Sequence, residues 1–300
     1  MYLVFDIGGT FVKYGLITLK GEIVHKNKIP TQNKEGIEIF IDSLVEVYHE
    51  MKKEYKIEGI AISTPGAVDA EKGIVYNGGS LPFLHEQCLR DLISSKCDGL
   101  NVAVENDGKC AGLAEAWIGS AADVKDAVVV AFGTGIAGAV IKDKKVHRGN
   151  RLIAGEVSFL MTDFDRHHQP KMWALEHSAI SLGRKLSLAK GKPEDTYTGE
   201  MFFEALENGD HDADEILKDF AYATACQLYN FQLFFDPDVI CIGGGISEQP
   251  RLLEEIHHQI DVIWDQIYHI GKPNVVKCKF NNDSNLLGAL YNYMQLYHLD

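Results

Sequence analysis

Positive charge, paired cysteine and long apolar runs are what this sequence has least of. Its 300 residues hold 29 Lys and Arg against 43 Asp and Glu, a formal net charge of −14 at pH 7. A polyphosphate backbone is gripped by a surplus of Lys and Arg, so the composition argues against a nucleic-acid partner. The six cysteines (Cys88, Cys97, Cys110, Cys226, Cys241, Cys278) are scattered and form no CxxC pair. They read as thiols in a reducing cytosol, not as a disulfide or zinc framework. The longest apolar stretches are strand-length, well short of the roughly 20 residues a spanning helix needs, so no membrane partner is expected. The opening MYLVFDIGGT has no basic segment, and Asp6 interrupts its apolar run, so no signal peptide is read there. These absences lead to the expectation of a cytoplasmic enzyme or sensor.

What is present is an ordinary globular composition, 46% hydrophobic and 24% charged. Such a length exceeds what one small core needs, and two domains are expected. Residues 1–31 read as three strands, YLVFDIG, FVKYGLITL and GEIVHKNKI, the last two joined by the short Lys20-Gly21 turn and so antiparallel. Ile37, Phe40, Ile41, Leu44, Val45 and Tyr48 recur at helical spacing. GIAISTPG (59–66) is a buried strand ending in a Pro-Gly turn, and NVAVEND (101–107) is a strand running into a helix around KCAGLAEAW. The pattern then restarts. AVVVAFGTG, AGAVIKD and KVHRG predict three more strands, 172–190 and 213–235 have helical period, and VICIGGG (239–245) ends on three glycines. A helix after Pro250, a strand at VVKCKF and a last helix from about Ser284 complete an α/β protein of two similar halves. The boundary is placed near Trp117–Asp126, and the charged stretches at 142–145 and 211–214 read as solvated turns.

One loop occurs twice. VFDIGGTFVKYGLI (4–17) and VVAFGTGIAGAVI (129–141) each break an apolar strand at a glycine-rich turn, and only the first carries an acid, Asp6. Such turns let backbone N–H groups approach an anion with no Cβ in the way, and Thr10 and Thr134 each add a hydroxyl. Two of them facing each other would grip a triphosphate, with Asp6 holding Mg²⁺ directly or through water. A second carboxylate on the same phosphates would repel them, which is how Phe132 in the other copy is read. A single Gly-Gly-Thr between strands is equally a plain hairpin. The dinucleotide fingerprint G-x-G-x-x-G does not fit, since strands and not helices follow both loops.

Six motifs in order carry a resemblance: DIGGT (6–10), STPGAVD (63–69), END (105–107), FGTGIAGAVI (132–141), RGNRLIAGE (148–156) and GGGIS (243–247). Together they resemble the ROK family of sugar kinases and repressors, within the actin/hexokinase-like superfamily, over essentially the whole chain. The resemblance implies an α/β fold of two RNase H-like domains, of the actin/hexokinase ATPase type, around a central cleft. It places them at 1–118, completed by the C-terminal helix 286–300, and at 119–285. It implies an ATP- and Mg²⁺-dependent kinase, with Asp107 as catalytic base and Gly66, Asn106, Asp107, Glu156 and Glu176 at the sugar. Asp6, Gly8, Gly9, Thr10 and Lys13, with Gly133, Thr134 and Gly135, would hold phosphates, Asp6 also holding the metal; Gly244 and Gly245 would lie near adenosine.

The residue chemistry is compatible with those roles. Phosphoryl transfer needs an aligned nucleophile, neutralised phosphates and a group to take the hydroxyl proton. Taken alone, Asp107 also reads as a helix N-cap, Glu156 as a surface acid and Lys13 as a solvent-facing strand residue. Glu156 follows the small residues Ala154 and Gly155, which leave room for a ligand, and carboxylates pair naturally with sugar hydroxyls.

Many family members follow AGE with a Gly-His pair and a CxCGxxGC segment that bind structural zinc. Here Phe159 takes the histidine position and 157–180 holds no cysteine. His167, His168 and His177 remain nearby, but zinc wants four well-placed ligands, so no structural zinc is expected. Packing by Phe159, Met161, Met172 and Trp173 is expected to replace it. An aromatic at that position points to a pocket edge that admits glycosides, as in the zinc-less β-glucoside and N-acetylmannosamine kinases. The expected reaction is phosphorylation of the 6-hydroxyl of a β-glucoside such as cellobiose, with N-acetylmannosamine kinase or glucokinase as alternatives. A repressor needs a helix-turn-helix before the DIGGT strand, and only five residues precede Asp6. An inactive sugar sensor is the non-enzyme alternative, although Asp6 and Asp107 are both present. Family members are commonly dimers, so a homodimer is the expected assembly.

Overall fold

Tyr2–Ile7 form β1, and all six residues are buried in this computed structural model, which describes residues 1–299. A strand covered on both faces reads as an unbroken apolar run. β1 turns back antiparallel into β2 (Phe11–Ile17), which pairs antiparallel with β3 (Ile23–Pro30). β3 is the sheet edge, and its exposed Lys26, Asn27 and Lys28 make a charged rim that resists pairing with another chain. α1 (Ile37–Met51) buries Phe40, Ile41, Leu44, Val45 and Tyr48 at helical spacing. β4 (Gly59–Thr64) pairs parallel with β1. Three short strands, β5 (Ala67–Asp69), β6 (Ile74–Tyr76) and β7 (Gln87–Cys88), form a separate antiparallel sheet. They carry no sequence signal because two or three residues are too few to show a period. α2 (Leu89–Lys96) leads into β8 (Val102–Asn106), parallel to β4, and α3 (Asp107–Ile118) follows with no intervening residue. The main sheet runs β3-β2-β1-β4-β8.

β9 (Ala127–Phe132) and β10 (Ile136–Lys142) repeat the antiparallel opening. The third strand expected at KVHRG shrinks to two residues, β11 (Lys145–Val146). The helical stretch over 172–190 is two helices, α4 (Trp173–His177) and α5 (Ala179–Ala189), because Ser178 between them is extended at φ −79° and ψ 169°. α6 (Gly199–Glu207) is capped by Thr198, which accepts the Met201 N–H. α7 (His211–Phe235) is capped by Asp210, which accepts the N–H groups of Asp212 and Ala213. Residues 211–214 are therefore the first turn of a helix and not a solvated turn, and Ala213 is buried there. β12 (Val239–Gly243) pairs parallel with β9; after α8 (Pro250–Trp264), β13 (Val275–Lys277) pairs parallel with β12. The core here is aromatic: Phe132 meets Trp173 edge-on at 5.8 Å and Phe220 at 5.3 Å, and Trp173 reaches Phe231.

The last helix, α9 (Ser284–Leu296), packs on α3 at close range. Gly288 permits this, since a Cβ there would lie 1.7 Å from the Cys110 carbonyl oxygen. The chain divides into two compact units, one of Met1–Ile118, Lys145–Ala154 and Asn282 onward, the other of Gly119–Lys144 and Gly155–Asn281. The segment 145–154 lies within the second domain, 119–285, drawn from sequence, yet it departs from that division. It groups with the first unit because Lys109 Nζ donates to the Leu152 carbonyl and Arg148 binds Glu105 and Asn292.

Candidate active site

In the first unit the parallel strands β1, β4 and β8 place Asp6, Ser63 and Glu105 in one row, in register across the sheet. All three lie near the carboxyl ends of their strands, where open α/β sheets present their ligands. Asp6 is only 8% exposed. Its Oδ1 accepts Ser63 Oγ at 3.0 Å and Asn285 Nδ2 at 3.0 Å, and its Oδ2 lies 3.8 Å from Lys13 Nζ. Lys13 is the cross-strand partner of Asp6 on β2, which places its ammonium at that carboxylate and leaves the side chain half exposed. The turn at 8–10 is closed by the Gly8 N–H on the Phe11 carbonyl at 3.0 Å. Thr31 Oγ1 and Asn33 Nδ2 donate to the carbonyls of Gly8 and Gly9, so the turn is braced from β3's end. Thr10 is exposed at its tip.

Asp107 opens α3, half-buried, immediately after β8. Its Oδ1 accepts the Gly108 N–H at 2.8 Å and Asn106 Nδ2 at 2.9 Å. Asn106 Nδ2 also donates to the Gly66 carbonyl at 2.9 Å, and Asn106 Oδ1 accepts the Lys109 N–H at 3.1 Å. Gly66 has φ +104°, and a Cβ there would lie 2.6 Å from the Asn77 carbonyl, so only glycine fits. The structure thus joins Gly66, Asn106 and Asp107 in one hydrogen-bonded set. Burial pushes the Cys110 thiol well above its ordinary pKa, with the carboxylates of Glu105, Asp6 and Asp107 adding to the effect.

In the second unit the turn 133–135 is closed by the Gly133 N–H on the Gly135 carbonyl at 2.9 Å, and Gly133 and Thr134 are exposed. Ser158 Oγ accepts the Ile136 N–H and donates to the Ile136 carbonyl, tying this turn to the Glu156 segment. Glu156 is half-buried and follows Gly155, whose φ of +87° and 3.0 Å Cβ approach to the Gly138 carbonyl require glycine. Gly244, at φ +88°, lies flat against β9, where a Cβ would be 2.1 Å from the Phe132 carbonyl oxygen. Gly245 is exposed beside it. Glu176 sits on α4, and its charge reaches Lys185, whose pKa burial lowers while Glu176 and Asp219 oppose the shift. Beside it, His177 is held down to about 4, first by burial and then by Lys185.

Two sequence expectations need correction. Phe159 is 63% and Met161 51% exposed, so neither acts as a packed staple. The segment is instead clasped by backbone, Trp173 N–H to the Leu160 carbonyl at 2.7 Å and Thr162 N–H to the Lys171 carbonyl at 2.9 Å, with Trp173 fully buried beneath. Phe132 is also not the counterpart of Asp6. The last paired residue before each turn is Ile7, opposite Val12, in the first copy and Phe132, opposite Ile136, in the second, which aligns Ile7 with Phe132 and Asp6 with Ala131 although the two turns differ by one residue.

Among the described residues, no group of three or more His, Cys, Asp and Glu side chains is arranged to hold a metal ion. Asp6 by itself fits a hard cation that draws its remaining ligands from phosphate oxygens and water, being a carboxylate already anchored through one oxygen. Sequence reasoning missed Ser63, Asn285, Glu105, Lys109, Arg148 and Asn292. Ser63, Glu105 and Arg148 lie inside quoted motifs, which was their only signal. No helix among the described residues is long and apolar enough to cross a membrane.

The family model described as ROK family matches residues 2–295. A β-glucoside kinase of Listeria monocytogenes is 30% identical over 293 residues, covering 97% of this chain and 96% of that protein. An N-acetyl-D-glucosamine kinase of Aliivibrio fischeri is 28% identical over 304 residues, covering 97% and 98%. The crystal structure of a ROK family protein from Streptococcus pneumoniae in complex with sucrose matches with a TM-score of 0.89 at 28% identity, covering 99% of both chains.

Proposed function

This chain belongs to the ROK family of sugar kinases, and we propose that it transfers the γ-phosphoryl group of ATP to the 6-hydroxyl of the non-reducing glucose of a β-glucoside. The observation that carries the reading is the β8–α3 junction. There Asp107 stands at the carboxyl end of the sheet with Oδ1 fixed by two donors, on the same sheet as the glycine turn that follows β1. Asp107 receives the proton of the attacking hydroxyl, and Asn106 and Gly66 hold the sugar beside it. Glu156 and Glu176 are the further sugar contacts in this reading. The N–H groups and hydroxyls of Gly8, Gly9, Thr10, Gly133, Thr134 and Gly135 bind phosphate oxygens, Lys13 adds a positive charge, and Gly244 and Gly245 take the adenosine. Mg²⁺, held by Asp6, would neutralise phosphate charge when bound.

The Listeria relative supports a β-glucoside, since the two proteins align over nearly their full lengths. The sucrose complex of the Streptococcus protein supports a glycoside, because the anomeric carbon of sucrose's glucose is locked in a glycosidic bond. Exposed Phe159 offers an apolar edge suited to an aglycone. A coupled ADP-release panel of glucose, mannose, N-acetylglucosamine, N-acetylmannosamine, cellobiose and an aryl β-glucoside tests this. The β-glucosides should give the highest kcat/KM. A free N-acetylhexosamine in first place refutes the substrate, and ADP release indifferent to every sugar refutes the kinase.

A second copy of this chain is the partner in this reading. Leu233, Phe234, Ile267, Tyr268 and Ile270 form an exposed apolar patch, with Phe234 82% and Tyr268 95% exposed. A Cβ added at Gly271 would lie 3.1 Å from Leu233 Cδ2, so the loop after α8 runs beside the end of α7. Aromatic rings bury roughly 150–250 Å² each, so the patch approaches the roughly 800 Å² per partner of a standard interface. An apolar patch is its own complement across a two-fold axis.

A further inference from the structure

Asn106 is flanked by two carboxylates, and the reaction proposed above uses one. The other, Glu105, is fully buried at the end of β8. A carboxylate survives in such a place only when donors satisfy it. Its Oε1 accepts the Asn106 N–H at 2.8 Å. Its Oε2 accepts Arg148 Nε at 2.8 Å and lies 2.5 Å from Arg148 Nη2. The guanidinium also donates to Asn292 Oδ1 on α9 at 3.1 Å, and Asn292 Nδ2 donates to the Val104 carbonyl at 3.4 Å. Lys109, fully buried in the first turn of α3, holds the same 145–154 segment through the Leu152 carbonyl.

This arrangement has a direction. Arg148 fixes Glu105, Glu105 fixes the Asn106 backbone N–H, and the Asn106 side chain fixes Asp107 Oδ1. Arg148 therefore reaches the base through a short chain of charge-assisted bonds and is not assigned to sugar or phosphate. We propose that Arg148 is a positioning residue for the transfer step, setting the angle at which Asp107 meets the sugar hydroxyl. The inference rests on the kinase reading. Misplacing a catalytic group by about 1 Å costs on the order of 100-fold in rate. Arg148 itself touches no substrate in this reading, and the Asn106 side chain keeps its bonds to the Gly66 carbonyl and the Lys109 N–H, so the loss falls on kcat far more than on KM.

The test compares kcat and KM for the best β-glucoside in wild type, Arg148→Lys, Arg148→Met, Glu105→Gln and the Arg148→Met/Glu105→Gln double variant. Lysine keeps the charge but loses the two-point fork, so kcat should fall about tenfold with KM within about threefold. Methionine should lower kcat about 100-fold, and the double variant should be no slower than the slower single, as one unit requires. Wild-type kcat in Arg148→Lys and Arg148→Met, or a raised KM at unchanged kcat, overturns the positioning role even if melting temperatures drop. Should Arg148→Met fail to fold, Arg148→Lys decides by the same criterion. A wild type that phosphorylates no sugar overturns the kinase reading, and this inference falls with it.

Discussion

Replacing Asp107 by Asn separates proton acceptance from everything else the residue does. The amide keeps an oxygen where Oδ1 now accepts the Gly108 N–H at 2.8 Å and Asn106 Nδ2 at 2.9 Å. The cap of α3 is Asn106, whose Oδ1 accepts the Lys109 N–H, so α3 should keep its start and removing the first-turn charge should cost no more than about 1 kcal/mol of stability. What disappears is the negative oxygen that, in the proposed mechanism, takes the hydroxyl proton. General bases contribute about 10²–10⁴-fold, which at 1.36 kcal/mol per decade is about 3–5 kcal/mol of barrier. A coupled ADP-release assay should therefore show kcat reduced by that factor. Sugar affinity, read by equilibrium titration, should change less than about fivefold, and the melting temperature should move by only a few degrees. A kcat within threefold of wild type would remove Asp107 from the chemistry. A large loss of sugar affinity at unchanged kcat would recast it as a binding residue.

Other changes test the framework. Gly244→Ala puts a Cβ 2.1 Å from the Phe132 carbonyl oxygen at φ +88°, and strain plus overlap should cost about 2–4 kcal/mol; unaltered thermal unfolding would refute the close approach to β9. His177, held at about 4 against an ordinary 6.5, resists protonation in the folded state. The unfolded chain binds the extra proton between those values, so stability falls as pH drops from 6.5 towards 4, by about 3 kcal/mol in full. His177→Phe should remove about 2 kcal/mol of the difference between pH 7 and pH 4.5 in denaturant unfolding, and an unchanged pH dependence would refute the cause. Tyr268→Glu should convert a dimer to a monomer in sedimentation; a wild type that is monomeric at micromolar concentration refutes the apolar patch as a self-association surface.

Much of the fold could be read because its central strands are covered on both faces. β1, β4, β8, β9 and β12 are apolar runs that stop at a Gly, Pro or Asp, and those stops are where candidate ligand groups lie. α1 could be read from its period. The partners that orient the site could not. Asp6 and Asn285 are 279 positions apart and Glu105 and Arg148 are 43 apart, and one sequence contains nothing that pairs such residues. A charged residue at the end of an apolar strand reads as surface, yet Glu105 is fully buried because Arg148 satisfies it. The 157–173 segment misled in the opposite sense: its large apolar side chains suggested packing, while backbone pairing between Met161 and Met172 holds it and leaves Phe159 outside.

The two glycine turns show how far a repeat can be differentiated. In the first unit Asp6 pairs across the parallel strands with Ser63, whose hydroxyl donates to it. At the matching place in the second unit, Ala131 pairs with Gly243, which has no side chain to donate. A Cβ added at Gly243 would meet Cys278 Sγ at 2.9 Å, so that space is already taken by a thiol. An acid introduced at 131 would lack the hydroxyl that steadies Asp6 as well as adding a like charge. The asymmetry is thus set at both members of the strand pair. Charge repulsion at phosphate is a reason to omit one acid; the loss of its donor shows that the surrounding sheet was built for its omission. A turn of this kind can still bind an anion through its N–H groups, so in the proposed reading the 133–135 turn would serve phosphate alone and the cation would fall to Asp6.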